Sequence, residues 1–142
     1  MSSPDLTDAE RQAVQAVLQT PNLSMGSRIE AFEAAFTQLT GSKHAIGVNS
    51  GTAGLHLCVR AAGIGPGDLV LTTPFSFVAS ANVVLFENAV PVFVDVDPLT
   101  GNIDPALACQ AAEDLMQGGT AAQHWLPRRG VPQGARLKAI LG

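Results

Sequence analysis

Apolar residues along this chain fall into stripes at helical spacing and short solid runs, and the two kinds alternate. Behind the capping-box sequence Thr7-Asp8-Ala9-Glu10, the residues Ala13, Val14, Val17 and Leu18 share one face, predicting a helix over Asp8–Leu18 that Pro21 ends. Asn22–Gly26 reads as a loop. Ser27-Arg28-Ile29-Glu30 has the form of a second capping box, opening a helix to Leu39 with the stripe Ile29, Phe32, Phe36 and Leu39 and a terminating glycine at Gly41. Ala45–Val48 predicts a short buried strand; the polar turn Asn49-Ser50-Gly51-Thr52 follows, and an apolar-rich helix starts at once and ends at Gly63. Leu69–Thr72 predicts a second strand buried on both faces, and Pro74 breaks it. Ser76 can cap a helix from Phe77 to about Phe86; Val92–Val94 predicts a third strand, Pro105 opens a helix to Met116, and Leu137–Leu141 predicts a fourth strand. The glycine- and proline-bearing stretch Gln117–Gly134, with Arg128, Arg129 and Trp125, reads as a surface excursion.

Strand and helix in alternation imply crossovers and a parallel sheet covered by helices on both faces, an α/β three-layer αβα arrangement. In such a sheet ligands bind at the carboxyl ends of the strands, so Asn49–Thr52, Thr73–Phe77 and Asp95–Asp97 are expected to share the candidate edge. The first of these carries the most chemistry. It places two hydroxyls and a glycine at a helix start, where unpaired N–H groups and the dipole favour an anion such as a phosphate. The same residues also serve as an ordinary N-cap that meets only water.

The 142 residues carry a net charge of −4, with 46% hydrophobic and only 14% charged residues. Charged content this far below the ~25% of soluble domains implies that part of the surface is covered by more chain or by a partner. The acidic balance and the scattering of Lys and Arg argue against nucleic acid, and no run reaches the length of a membrane span. Cys58 and Cys109 lie in predicted helices without metal-type spacing and are read as buried thiols of a reducing compartment; His44, His56 and His124 match no ligand pattern.

Several long segments in register carry a resemblance. IEAFEAAFTQLTGSKHAIGVNSGTAGLHL, then GIGPGDLVLTTPFSFVASANVVLFENAVPVFVDVDPLTGNIDP, closely resembles the amino-terminal part of the DegT/DnrJ-type aminotransferases of nucleotide-linked keto-sugars, and RLKAIL resembles that family's next strand. The resemblance implies the type I fold of pyridoxal 5'-phosphate (PLP) enzymes, residues 1–142 forming an incomplete large, PLP-binding domain. It further implies a homodimer with sites built from both subunits and a cytoplasmic setting in cell-surface polysaccharide or secondary-metabolite sugar biosynthesis, away from membranes. By the same resemblance Gly51, Thr52 and Ala53 hold the cofactor's phosphate, Phe77 stacks on its ring, Asn22–Gly26 shapes the sugar-nucleotide pocket, and Asp95 and Asp97 are turn formers.

The family's Schiff-base lysine and the aspartate that pairs with the pyridine nitrogen are expected beyond Gly142, so no catalytic residue is assigned within the chain. Lys43 and Lys138 are expected at the amino end of the sheet, away from the cofactor turn. The function implied for the full-length protein is transfer of an amino group, usually from glutamate, to a nucleotide-linked keto-sugar, and TTPFSFVASAN resembles members acting at the sugar's C4, such as perosamine-type synthases. The alternatives are a dehydratase of the same family, or a truncated, catalytically inactive phosphate-binding α/β module.

Overall fold

A computed structural model describes residues 3–142. Its elements fall into two units, one running to Gly47 and one from Val48 to Gly142.

The first unit is helical. Helix α1 spans Asp8–Leu18, the range its stripe predicts. Its capping box forms: Thr7 Oγ1 accepts from the Ala9 N–H, and Glu10 Oε2 accepts from the Thr7 N–H at 2.6 Å and from the Thr7 hydroxyl. Hydroxyl donation from Thr7 holds the Glu10 carboxyl below the usual carboxylate range. Helix α2 spans Ser27–Thr40 and closes on Gly41 in the left-handed conformation that glycine adopts without strain. Its start corrects the sequence reading. Gly26 is the N-cap and makes no side-chain bond, so Ser27 is already helical and Glu30 stands one place too far along to complete a capping box. Neither helix buries a residue; Val14, Leu18, Phe32 and Phe36 are all exposed.

Residues 45–48, expected as a strand, form none. A strand exists through its ladder, and the Gly47 N–H, a ladder donor in a strand, is given instead to Glu33 Oε1 at 2.7 Å. Ile46 is exposed as well, so the segment is not buried.

The second unit holds the sheet. Helix α3 (Gly51–Ala61) leads through a tight link to β1 (Asp68–Thr72), helix α4 (Ala79–Phe86) to β2 (Val90–Phe93), and helices α5 (Pro105–Gln117) and α6 (Gly119–Trp125) to β3 (Arg136–Ile140). The strands are parallel in the order β2-β1-β3. β1 shows why a solid apolar run was required. Leu69 and Leu71 join a core with Val90, Val92, Ala108, Ala111 and Leu115, whereas Val70 joins Val59, Ile64, Val83, Val84 and Ala89 on the other face. Helices α3 and α4 therefore cover one face and α5 and α6 the other. The β1-to-β2 and β2-to-β3 connections travel in opposite directions on opposite faces, as right-handed crossovers demand.

The stretch 117–134 is not wholly an excursion. Successive positive-φ glycines, Gly118 and Gly119, turn the chain after α5 and permit α6, whose Ala122 is buried in the α5 core. Trp125 packs beside it and donates its indole N–H to Asp114 Oδ2 at 2.8 Å. Helix α4 starts at Ala79, not Phe77, and Ser76 does not cap it; the Ser76 hydroxyl bonds Ser80 Oγ, and a tight turn from the Phe77 carbonyl to the Ser80 N–H precedes the helix. Cys58 and Cys109 are exposed, not buried: each sits on the outer side of its helix, where α3 buries the adjacent Val59 and α5 buries the adjacent Ala108 with Ala111 and Leu115. No helix among the described residues is long and apolar enough to cross a membrane.

Candidate functional site

Parallel geometry fixes where α3 begins. Eleven helical residues rise about 16 Å at ~1.5 Å each, close to the length of five-residue β1 at ~3.3 Å each. Because α3 ends where the chain turns into the amino end of β1, its first turn lies level with the carboxyl end of β1. Helix α4 starts from that same carboxyl end and packs against α3. The two helices run side by side in one direction. Their amino termini, bearing Gly51–Ala53 and following Phe77, therefore occupy the same edge, although the strand expected to lead into Gly51 does not form. Asp95 and Asp97, after β2, reach that edge too and act within their own loop: Asp95 Oδ1 accepts from the Val96 N–H, and Asp97 Oδ1 from those of Leu99 and Thr100.

The start of α3 has a definite donor set. Ser50 is the N-cap, its Oγ accepting the Ala53 N–H at 3.1 Å while its carbonyl takes the Gly54 N–H. The Gly51 and Thr52 N–H groups have no protein partner among the described residues, and a Cβ added at Gly51 would meet nothing within 4 Å. Unengaged donors and a hydroxyl at the positive end of a helix dipole suit a phosphate group. The Ala53 N–H differs from its neighbours in being already engaged by Ser50.

Phe77 is 76% exposed, and with Thr73, Ser76, Ser80 and Phe93 it lines a cavity of about 210 Å³. A ring so bare at the loop between β1 and α4 contributes little to the core. One polar atom at this edge had no signal in the sequence beyond ending a strand. Thr72 Oγ1 is fully buried and unpartnered among the described residues, and alternation along β1 aims it to the α3 and α4 face together with Val70.

The residues Asn22–Gly26 lie in the first unit, lining a cavity of about 380 Å³ with Ala16, Val17 and Arg28. Lys43 is in the loop after α2. Lys138 stands in the middle of β3, not at its amino end: Leu69 pairs with Leu137 and Val70 with Ala139, which leaves Lys138 as the extra residue of a bulge. His56, read from sequence only as a lone histidine, has a partner that no spacing could reveal. Glu87, 31 residues on at the end of α4, accepts from His56 Nε2 at 2.5 Å and from Arg60 Nη1 at 3.2 Å. Donation by His56 holds the Glu87 carboxyl below the usual carboxylate range against the opposing effect of burial, and the Arg60 charge adds to the lowering.

Comparison with known proteins bears on the same residues. Residues 4–118 match the DegT/DnrJ/EryC1/StrS aminotransferase family. The chain is 45% identical over 104 residues to the spore coat polysaccharide biosynthesis protein SpsC of Bacillus subtilis, covering 73% of this chain and 27% of that protein. It is also 45% identical over 107 residues to the GDP-perosamine synthase of Caulobacter vibrioides, covering 75% and 29%. The PLP form of Spr1654 from Streptococcus pneumoniae superposes with a TM-score of 0.73 at 32% identity, over 76% of this chain and 28% of that one. The fold is thus that of part of a type I PLP aminotransferase, and the chain spans under a third of the length of these relatives. By a match over most of its length, the chain belongs to the DegT/DnrJ/EryC1/StrS aminotransferase family.

Proposed function

We propose that this chain supplies the phosphate- and ring-binding part of a PLP-dependent aminotransferase that moves an amino group, from a donor such as glutamate, to a nucleotide-linked keto-sugar. The single observation that carries the reading is the start of α3. The Gly51 and Thr52 N–H groups are unengaged among the described residues, Gly51 is exposed with room for a Cβ, the Thr52 hydroxyl stands beside them, and Phe77 stands bare after the neighbouring strand. Family membership supports the cofactor, and the names of the polysaccharide biosynthesis protein and the GDP-perosamine synthase support a sugar substrate.

In this reading residues 1–142 are part of the large, PLP-binding domain, and the lysine and the ring-nitrogen aspartate lie in portions of the relatives' length that this chain does not span. Gly51 and Thr52 bind the phosphate through N–H donation, with Ala53 joining as Ser50 Oγ shares its N–H. Phe77 offers its face to the ring and keeps water from that side. When bound, PLP supplies an electron sink for the amino-group transfer. The setting we propose is the cytoplasm, and the assembly a homodimer.

The test is PLP binding and transamination by the full-length protein. Wild type should bind PLP and convert it to the amino form with glutamate, detected by absorbance. Absence of PLP binding by a folded, full-length protein would refute the reading.

A further inference from the structure

Helices α3 and α4 lie side by side with both amino termini at the candidate edge, and polar contacts toward their other ends join them. Glu87, the residue that closes α4, holds His56 at 2.5 Å and Arg60 at 3.2 Å. Its side chain is only 16% exposed, while those of His56 and Arg60 are 31% and 63% exposed. Phe86, the last helical residue of α4, meets the His56 ring edge-on with centroids 5.3 Å apart. His56 is thus seated on the end of α4 by a charge-assisted bond and an aromatic contact together.

The stripe that Glu87 grips begins at the candidate phosphate site. Thr52, His56 and Arg60 recur every four residues on α3, and Thr52 stands one turn, about 6 Å along the axis, before His56. Phe77 stands at the opposite end of α4 from Glu87. We infer that Glu87 is a positioning residue: by clamping His56 and Arg60 it fixes α3 along α4, and so fixes the spacing between the donors at Gly51 and Thr52 and the ring of Phe77. The clamp touches no ligand. It acts through Thr52 and Phe77, and it rests on the reading of that edge as the PLP site. Groups that contact a ligand hold their geometry only when supporting contacts lock them, and around bound metals the loss of one such support costs about tenfold or more in affinity.

The experiment measures PLP affinity by equilibrium dialysis at neutral pH, in full-length variants each shown to be folded. Glu87→Ala should weaken PLP binding about tenfold. Glu87→Gln, which still accepts a bond from His56 without the charge, should fall between it and wild type. Val92→Ala, buried on the α5 face, lowers stability without touching the clamp and should bind PLP as wild type does. Unchanged affinity in Glu87→Ala, or an equal loss in Val92→Ala, would overturn the positioning role. Thr52→Asp separates the two readings: if it binds PLP normally, the site assignment falls and the clamp's role with it; if it loses PLP while Glu87→Ala does not, the clamp alone is refuted.

Discussion

Replacing Phe77 by alanine separates a cofactor platform from a core residue, because the two roles draw on different parts of the ring's surface. Phe77 is 76% exposed. Fully burying a phenylalanine side chain is worth about 1.5–3 kcal/mol, so the buried quarter contributes roughly 0.4–0.8 kcal/mol to stability. Stacking one face on a planar ring covers a large share of the remainder and adds an aromatic contact, together about 1–2 kcal/mol. At 1.4 kcal/mol per factor of ten, PLP affinity should fall roughly fivefold to thirtyfold while the urea midpoint moves little. Urea unfolding and equilibrium dialysis with PLP, both on the full-length protein, read the two quantities separately. A stability loss above about 2 kcal/mol with PLP affinity unchanged would show the ring to be a core residue and refute the assignment.

Three further outcomes follow from the same contacts. Thr52→Asp places a carboxylate at a helix start, where the dipole welcomes it, so stability should hold while PLP affinity drops tenfold or more through like-charge repulsion; dialysis and urea unfolding check both halves. The Glu87 carboxyl is held below its ordinary value in the folded state, so the clamp's contribution is complete above about pH 4.5 and is lost as pH falls through the folded value; the stability gap between wild type and Glu87→Gln should therefore narrow from pH 7 to pH 3, and a constant gap would deny the coupling. Trp125→Phe keeps the ring against the α5 core but removes the donor to Asp114, so urea unfolding should show a loss of about 1–2 kcal/mol, and no change would mean that water replaces the bond without cost.

Much of this architecture is local and therefore legible in the sequence. Helix α1 follows from its stripe and from Thr7 and Glu10, three residues apart; β1 follows from a solid apolar run flanked by Gly67 and Pro74; Ser50 caps α3 because a short hydroxyl side chain reaches an N–H three residues on. The turn at Gly51 and Thr52 was legible for the same reason, since a helix start carries its unpaired donors wherever it is placed. What the sequence could not determine is whatever needs a second, distant partner. Ala45–Val48 has the residues of a strand, but a ladder requires a neighbour, and Gly47 donates to Glu33 instead. Helix α6 hides among glycines and prolines because its reason to exist is the α5 core that receives Ala122 and Trp125. Phe77 and the first turn of α3 share an edge only because the sheet is parallel and α3 packs along α4. Glu87 and His56, 31 residues apart, meet only once that packing exists: capping and periodicity act within a turn or two of chain, whereas a clamp between helices acts through space that only the fold creates.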